Sequence, residues 1–341
     1  MVDVSASTDV GLRRQHNEDS HGVWQSDDPG TLERRGVLVV VADGMGGSQA
    51  GEVASRIAVQ TVMRVYQESA GDPLEDLAHA LEAANAAVHG ESTSRPDLAG
   101  MGTTCTAVVV QGHDLLYAHV GDSRAYVSRN GRIRQVTHDH SLVAQMVREG
   151  QLTPEQAKTD PRRNVVTRSV GVGPDVEIDA DRMDAALEPG DTLLVCTDGL
   201  HGLVNDQELA DIASGDDLEQ ACHEAIERAN ERGGPDNITV VLARLEAGEE
   251  PGEPRRAERH EVESTAEFPP DSHEARLATA GGAAAPARPS SGALMLWLIV
   301  AFAVLLLAVV AMAIIWQRID RERRALDATA VHAEETTSWR L

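Results

Sequence analysis

Acidic residues stand beside glycine or at the ends of predicted strands at five places in this chain: Asp19, Asp43, Asp122, Asp198 and Asp236. Several carboxylates gathered in one place repel one another unless divalent cations hold them ionised. Carboxylate, carbonyl and water ligands without His or Cys select hard ions such as Mg²⁺ or Mn²⁺. A single Asp-Gly pair is adequately explained as a turn. The set of five favours a common site holding two metal ions that activate a water molecule.

The elements that must position these acids begin with a run of aliphatic residues before Asp43. Val37–Val41 reads as a strand buried on both faces, and glycines follow Asp43 closely. A buried strand that delivers a carboxylate into such a turn is costly unless a cation or donor meets it. The glycines allow close backbone approach and leave carbonyls available as ligands. Asp43 is therefore predicted to bind metal, with the Gly44 carbonyl beside it.

The rest of the first 245 residues alternates in blocks of strands and helices. Two or three strands are predicted in residues 3–42, and the later predicted elements are helices from Ser48, Asp72, Thr153, Asn205 and Asp216 or Asp217, strands at Thr103–Gln111, Leu115–Val120, Thr192–Thr197 and Ile238–Leu245, and a type I′ hairpin at Asn130-Gly131. Blocks of this kind favour an α+β fold with antiparallel sheets over a doubly wound parallel sheet. The pattern alone leaves a sandwich and an open sheet as alternatives.

Composition restricts the class of partner. The chain has 341 residues and a formal net charge of −25, which argues against nucleic-acid binding because phosphate backbones need basic surfaces. Its three cysteines lie in apolar segments and read as buried thiols of a reducing compartment. The first residues lack a basic segment and an apolar run, so no signal peptide is expected.

The composition changes after Leu245. Residues 246–292 hold six of the fourteen prolines and are predicted to be a disordered linker. Residues 293–316 are 24 uninterrupted apolar residues, about 36 Å of helix at roughly 1.5 Å per residue, and predict a transmembrane helix in a lipid bilayer. Trp297 and Trp316 lie near its ends, as interfacial anchors do. Residues 317–341 form a short tail.

The orientation of this span has two opposing indications. Four arginines follow it within about 20 residues and two precede it, which by the positive-inside rule places the tail in the cytoplasm. The large N-terminal region has no export signal, which keeps that region in the cytoplasm instead. The second argument is preferred, so the prediction is a single-pass cell-membrane protein with a cytoplasmic catalytic domain.

Six motifs occur in a family-specific order: Arg14–Asp19, Val41–Gly47, Gly102–Thr104, Val120–Arg124, Cys196–Gly199 and Gly234–Thr239. The chain resembles, over residues 1–245, the metal-dependent serine/threonine protein phosphatases of the PPM (type 2C) family. With its apolar segment it is most similar to the membrane-anchored bacterial members, which oppose receptor-type Ser/Thr kinases. The resemblance implies an α-β-β-α sandwich of two antiparallel sheets flanked by helices. It also implies phosphorylated proteins as partners, especially Ser/Thr kinases and their substrates.

The resemblance further implies a role for each matching residue. Asp43 would bridge two metals, with the Gly44 carbonyl completing one of them, and Asp198 and Asp236 would hold the other. The remaining implied roles are metal binding through water for Glu18 and Asp19, a third and weaker metal at Asp122 with Asp198, and phosphate binding by Arg14. The cofactor is then Mn²⁺ or Mg²⁺, as two or three ions.

Phosphate monoesters hydrolyse so slowly without a catalyst that acceleration of up to ~10²¹-fold is required. No Cys or Ser here stands in a nucleophile setting, so in-line attack by a water that the cations activate is the economical mechanism. Met45 occupies the position where many eukaryotic members of the family carry a His that is proposed as the general acid. The candidates for that acid are His16, His138 and a metal-bound water. Residues 137–164 resemble the family's flap beside the active site, with Asn164 or a neighbour as a further candidate ligand.

Two other classes of protein remain to be weighed. A pseudophosphatase that binds phosphoproteins without turnover would be expected to lack Asp43, Asp198 or Asp236, and none is missing. A membrane scaffold that only docks partners is the second alternative. Both predict that no phosphate is released from a phosphopeptide.

Overall fold

The computed structural model describes residues 1–246. The predicted linker beyond residue 246, the apolar segment 293–316 and the tail 317–341 lie outside the described residues. Among residues 1–246, no helix combines the length and apolar character that a membrane span needs.

Two antiparallel sheets form the centre of the fold. The eleven strands are β1 (Val2–Asp9), β2 (Asp19–Trp24), β3 (Val37–Met45), β4 (Gly102–Thr103), β5 (Cys105–Gln111), β6 (Asp114–Val120), β7 (Arg124–Arg129), β8 (Arg132–Gln135), β9 (Asp179–Arg182), β10 (Thr192–Cys196) and β11 (Ile238–Leu245). The first sheet has the order β1-β11-β10-β7-β8, and the second has the order β2-β3-β5-β6-β9 with β4 paired to β3. Every strand pair is antiparallel.

Eight α-helices accompany the sheets in the described residues: α1 (Pro29–Arg35), α2 (Ser48–Glu68), α3 (Pro73–Ser94), α4 (Leu142–Arg148), α5 (Pro154–Thr159), α6 (Asp198–His201), α7 (Asp206–Ala213) and α8 (Leu218–Glu231). Apolar residues of α2 and α3 pack in one cluster with β3, β5 and β6. Those of α7 and α8 pack in another with β10 and β11. A third cluster joins β3 and β5 to β10 and β11 and so lies between the sheets. The layers are helix, sheet, sheet, helix.

The aliphatic run in β3 is explained by this layering. Val39 and Val41 belong to the cluster between the sheets, while Leu38 and Val40 belong to the cluster under α2 and α3. Side chains alternate between the two faces of a strand, so a strand covered on both faces needs apolar residues throughout. β10 is built in the same way. The predicted buried strand and the α+β fold class are confirmed, and the structure decides for the sandwich.

Local capping signals were reliable. Side chains of Asp72, Thr153, Asn205 and Asp217 cap α3, α5, α7 and α8, as the sequence predicts. The Asn130-Gly131 hairpin is also confirmed, since both residues have positive φ, 53° and 71°. Helix α1 was not predicted. Its signal was present in Asp28, which caps it, and in Pro29 at its first turn.

Register places the ends of the central strands together. Cys196, the last residue of β10, lies opposite Val240 near the start of β11. Asp9, the last residue of β1, lies opposite Ile238. In the second sheet, Asp19 at the start of β2 lies opposite Asp43 near the end of β3. Polar loops from both sheets therefore meet at one end of the sandwich.

Candidate functional site

The predicted acids meet at this end of the sandwich. Asp19 and Asp43 are cross-strand partners in the second sheet. Asp198 follows β10 and Asp236 precedes β11 in the first sheet, where the Thr197 amide donates to the Thr239 carbonyl at 3.1 Å. Two sheets thus contribute two acids each, and Asp122 comes from the turn between β6 and β7.

The backbone of Asp43 is fixed by the Gly102–Thr104 motif. The Asp43 amide donates to Thr104 Oγ1 at 2.8 Å, and its carbonyl accepts from the Thr104 amide and from Thr103 Oγ1, both at 2.8 Å. The pKa of the Asp43 carboxyl is raised well above its ordinary value, first by burial and then by the charges of Asp19 and Asp198. A cation among these carboxylates would reverse that effect.

Asp198 and Asp122 are connected through the short helix α6. Burial and the charge of Asp236 raise the pKa of Asp198 to about 6, while a hydrogen bond with Asp43 acts in the opposite direction. Burial and the charge of Asp198 raise the pKa of Asp122 to about 7. His201, at the end of α6, has its ring Nε2 3.0 Å from the Asp122 carbonyl oxygen, which only accepts. Its ring nitrogen therefore donates, and α6 places both acids.

Only one carboxylate oxygen of Asp19 accepts hydrogen bonds from the described residues. Its Oδ2 accepts hydrogen bonds from Thr197 Oγ1 at 2.8 Å and from Thr239 Oγ1 at 2.7 Å. Its Oδ1 is buried and has no partner among the described residues. Burial raises the pKa of Asp19 to about 7, although both hydroxyl bonds act to lower it. An orphaned carboxylate oxygen inside a cluster of acids is suited to a cation or to a water bound by one.

Glu18 enters the cluster beside glycine backbone. Its carbonyl accepts from the Gly44 amide at 3.1 Å. A Cβ added at Gly51, in the first turn of α2, would overlap Glu18 Oε2 and would lie 2.9 Å from the Gly44 carbonyl oxygen. Gly51 therefore gives Glu18 the space that it occupies. Burial raises the pKa of Glu18, and the nearby Arg14 acts to lower it.

Arg14 lies at the open edge of the cluster. Its Nη2 donates to Asp236 Oδ2 at 2.8 Å, and 46% of its side chain is exposed. A guanidinium carries five N–H donors, so a single bond to Asp236 leaves donors for a second anion. The structure places Arg14 beside the acid cluster, and its predicted role in binding phosphate stays a prediction.

Asn237 is the organising residue that sequence reasoning missed. Its side chain is nearly inaccessible, at 3% exposed. Its Nδ2 donates to the carbonyls of Val10 at 2.9 Å and His16 at 3.0 Å, and its Oδ1 accepts from the Glu18 amide at 2.8 Å. These bonds attach the Arg14 loop to the start of β11. The available signal was an amide residue directly after Asp236, which reads from sequence only as part of a turn.

The candidates for the general acid are placed differently. His16 is exposed on the Arg14 loop, and its charge affects the pKa of Glu18. His138 is exposed as well, with its carbonyl oxygen 3.2 Å from His119 Nε2. Met45 is partly exposed and pairs with Gly102. The general acid therefore stays a prediction with three candidates: His16, His138 and a metal-bound water.

The predicted flap adjoins the Asp122 turn. Residues 137–164 contain α4 and α5. The Gly121 amide donates to His140 Nδ1 at 3.1 Å, and the His140 amide donates to the Gly121 carbonyl at 2.7 Å. The segment is therefore joined to the residue before Asp122.

The donor set fits a divalent cation, although the described residues hold no ready cage for one. Within residues 1–246, no three acidic, His or Cys side chains are arranged closely enough to hold a metal ion. Three features support the fit: the donors are all oxygen, the acids raise one another's pKa, and Asp19 Oδ1 is buried without a partner in this part of the chain.

A model of one protein family, protein phosphatase 2C, matches residues 12–243. That range includes every acid of the cluster and Arg14. The chain belongs to the protein phosphatase 2C family. The family expected from the six motifs is confirmed, and with it the enzyme class, a protein phosphatase.

Curated relatives in several bacteria are similar to this phosphatase domain. The serine/threonine phosphatase stp of Listeria welshimeri is 39% identical over 241 residues, which are 69% of this chain and 92% of that protein. The serine/threonine protein phosphatase PstP of Mycobacterium tuberculosis is 38% identical over 240 residues, which are 70% of this chain and 44% of that protein. The match to PstP thus spans less than half of that relative.

Solved structures share the fold. A crystal structure of Mycobacterium tuberculosis PstP has a TM-score of 0.65 and 37% identity, and the similarity covers 72% of this chain and 99% of that one. The catalytic domain of PstP in complex with two manganese ions has a TM-score of 0.62 and 35% identity, with 72% and 99% coverage. The sandwich expected from the family resemblance is confirmed.

Proposed function

We propose that this chain hydrolyses phosphoserine and phosphothreonine in proteins, using a water activated by two divalent cations, and that it opposes Ser/Thr kinases at the membrane. One observation supports the proposal above all others. Five acids from two sheets and an intervening turn gather beside a half-exposed arginine that is already paired with one of them.

The residues that would hold the cations are assigned from the acid cluster together with the family resemblance. Asp43 is central to the cluster, because the charges of four other acids raise the pKa of its carboxyl: Asp19, Asp122, Asp198 and Asp236. We assign the shared position to Asp43 with the Gly44 carbonyl beside it. Asp198 and Asp236 are assigned to one cation, and Asp122 with Asp198 to a third, weaker one. The manganese ions bound by PstP support Mn²⁺ as the natural choice, with Mg²⁺ as the alternative.

Glu18 and Asp19 are assigned to positions facing bound water. The Glu18 carboxyl is placed by its backbone bonds to Gly44 and Asn237. Asp19 presents one free carboxylate oxygen, because its other oxygen is held by two hydroxyls. When bound, the cations supply an activated water and neutralise negative charge on the phosphate.

Arg14 is assigned to the substrate phosphate. Its bond to Asp236 holds the guanidinium at the edge of the cluster, and 46% of the side chain is exposed there. A planar fork of donors fits two phosphate oxygens at once and stabilises charge on the equatorial oxygens during transfer. A proton for the leaving serine or threonine oxygen comes from His16, His138 or bound water.

The decisive experiment compares two substitutions at opposite ends of β10. Asp191 precedes the strand and Asp198 follows it, and Asp191 pairs with Arg129 far from the cluster. We expect Mn²⁺-dependent phosphate release from a phosphothreonine peptide, complete loss with EDTA, and loss on the order of 100-fold or more in Asp198→Asn. Asp191→Asn should retain activity because its charge lies outside the site.

The alternative classes make the opposite prediction. A pseudophosphatase or a docking scaffold would bind the phosphopeptide and release no phosphate with any divalent cation. Equal activity in Asp198→Asn and the wild type would also show that the acid cluster does not take part in the reaction.

The membrane context of the proposal comes from the sequence. The apolar segment 293–316 is long enough to span a bilayer, and residues 246–292 are suited to a flexible tether. A cytoplasmic domain on such an anchor would meet the cytoplasmic domains of receptor-type kinases and their substrates. We therefore propose a single-pass membrane protein with its catalytic domain in the cytoplasm.

A further inference from the structure

A closed ring of hydrogen bonds connects the carboxylate oxygen Oδ2 of Asp19 to the backbone amide of the same residue. Thr239 Oγ1 donates to Asp19 Oδ2 at 2.7 Å, and Thr239 Oγ1 lies 2.7 Å from Thr8 Oγ1. Thr8 Oγ1 accepts from Asn17 Nδ2 at 2.9 Å, and Asn17 Oδ1 accepts from the Asp19 amide at 3.1 Å. The ring thus begins and ends at Asp19.

Every hydrogen in this ring has a determined direction. The Asp19 amide can only donate, which fixes the Asn17 side chain with its oxygen toward Asp19 and its nitrogen toward Thr8. A carboxylate oxygen can only accept, so the single hydroxyl hydrogen of Thr239 is used on Asp19. Thr8 must therefore donate to Thr239. Each hydroxyl accepts and donates in the same sense, which strengthens successive bonds.

A second hydroxyl completes the coordination of Asp19 Oδ2. Thr197 Oγ1 accepts from the Thr239 amide at 3.0 Å and donates to Asp19 Oδ2 at 2.8 Å. With Oδ2 held twice, the carboxylate plane of Asp19 is fixed. Its other oxygen, Oδ1, is buried without a partner in the described chain. The side chain is only 8% exposed, so nothing from bulk solvent sets this orientation.

We propose that Thr8 and Asn17 are positioning residues: their ring orients Asp19 so that its free Oδ1 faces the cation site, and it also attaches the Arg14 loop to β1. The inference rests on the proposed function, because it assigns that oxygen to a cation or its bound water. The assigned role requires no contact of either residue with the substrate or a cation. Thr8 acts through Thr239, and Asn17 acts through Thr8 and the Asp19 backbone.

The test uses matched substitutions in the full chain. Thr8→Val keeps the shape of threonine and removes the hydroxyl, while Thr8→Ser keeps the hydroxyl. Thr192→Val is the control for loss of a threonine hydroxyl elsewhere in the same sheet, because the Thr192 hydroxyl accepts from Arg244 at the far end of β10. Thr192 is buried whereas Thr8 is exposed, so the control is at least as demanding for stability. Mn²⁺ affinity is measured by isothermal titration calorimetry, alongside thermal unfolding and kcat on a phosphothreonine peptide.

We expect Thr8→Val to bind Mn²⁺ at least about 10-fold more weakly, as is typical when a partner of a metal ligand is lost. Thr8→Ser should restore the affinity, and Thr192→Val should leave it unchanged. Asn17→Ala, in a surface loop, provides a second interruption of the ring if Thr8→Val folds poorly, and the same weakening is expected.

The outcomes separate this inference from the proposed function. Wild-type Mn²⁺ affinity in both Thr8→Val and Asn17→Ala would overturn the ring's role while leaving the phosphatase intact. A fall in affinity that Thr192→Val shares equally would also overturn it, since the effect would then be general destabilisation. Absence of Mn²⁺-dependent turnover in the wild type would instead overturn the proposed function.

Discussion

Arg14 and Arg13 are adjacent arginines with different expected roles. Both side chains are exposed, and it is Arg14 that donates to Asp236 in the acid cluster. Sequence alone offered two neighbouring cations, and only the folded loop shows which one meets the acids.

The first prediction is that Arg14→Ala lowers kcat/KM for a phosphothreonine peptide on the order of 100-fold, because donors to the transferring phosphate are lost. Arg13→Ala should behave as the wild type. Steady-state kinetics provide the measurement, and Mn²⁺ titration should show that neither variant binds the metal more weakly, because each substitution removes a positive charge. Equal effects of the two substitutions would contradict the assignment of the phosphate to Arg14.

When no cation is bound, the ionised acids of the cluster lower the free energy of unfolding, by an amount that depends on pH. In the folded chain the pKa of Asp198 is raised to about 6 from its ordinary 3.8. Between these values the folded state binds more protons than the unfolded state, so the free energy of unfolding falls as pH rises. Above the pKa of Asp198 in the folded state, the free energy of unfolding is lowered by the full amount.

The second prediction follows from that sign. In EDTA, Asp198→Asn should raise the melting temperature at pH 8, by about 2–4 °C for each kcal/mol of repulsion relieved. At pH 4 the gain should shrink, since the wild-type carboxyl is then largely protonated in the fold. Differential scanning calorimetry at both values tests this. A gain of the same size at pH 4 and pH 8 would show that charge is not its cause.

At the scale of elements, α2 is placed so that its first turn touches the acid cluster. Gly51 of α2 has Glu18 and the Gly44 carbonyl where its Cβ would be, while a Cβ at Gly90 of α3 would meet nothing within 4 Å. Both glycines lie in long helices, Gly51 in the first turn of α2 and Gly90 near the end of α3, and alanine is the better helix former at either position.

The third prediction compares these two positions. Gly90→Ala should stabilise the protein by roughly 1 kcal/mol and leave catalysis unchanged, because alanine is the better helix former. Gly51→Ala should displace Glu18 and weaken both Mn²⁺ binding and turnover. Chemical denaturation and metal titration are the measurements, and a Gly51→Ala variant with wild-type metal affinity would refute the close-packing argument.

At the scale of the whole molecule, the described residues form a sandwich with three apolar clusters of their own. The apolar segment 293–316 lies beyond it in the sequence. The two parts are therefore expected to separate in function, with catalysis in residues 1–246 and location in the remainder.

The fourth prediction is that the full chain sediments with membranes and resists carbonate extraction, because 24 apolar residues favour the bilayer. A variant ending after residue 246 should stay in the supernatant and keep its activity on a soluble phosphopeptide. Deleting 317–341 alone is the control and should leave the full-length behaviour. Recovery of the intact chain in the supernatant would rule out the anchor.

The sequence by itself determined many of the local elements and the types of donor available to the site, although it did not predict α1, α6 or β9. Buried strands before Asp43 and Asp198 were readable because two covered faces demand continuous apolar residues. Caps such as Asp72 and Asn205 were readable because their bonds are made within a few residues. The oxygen-only donor set also followed from residue type.

Only the tertiary structure decided which distant groups meet and in what orientation. Two sets of contacts connect the beginning of the domain's sequence to its end. One joins Asn237 to Val10 and His16, and the other is the ring that joins Thr8, Asn17 and Asp19 to Thr239. Such contacts depend on the register of β1 against β11 and on the stacking of two sheets. Neither leaves a periodic signal in the chain, because the same side chains could satisfy their hydrogen bonds with water in any other register.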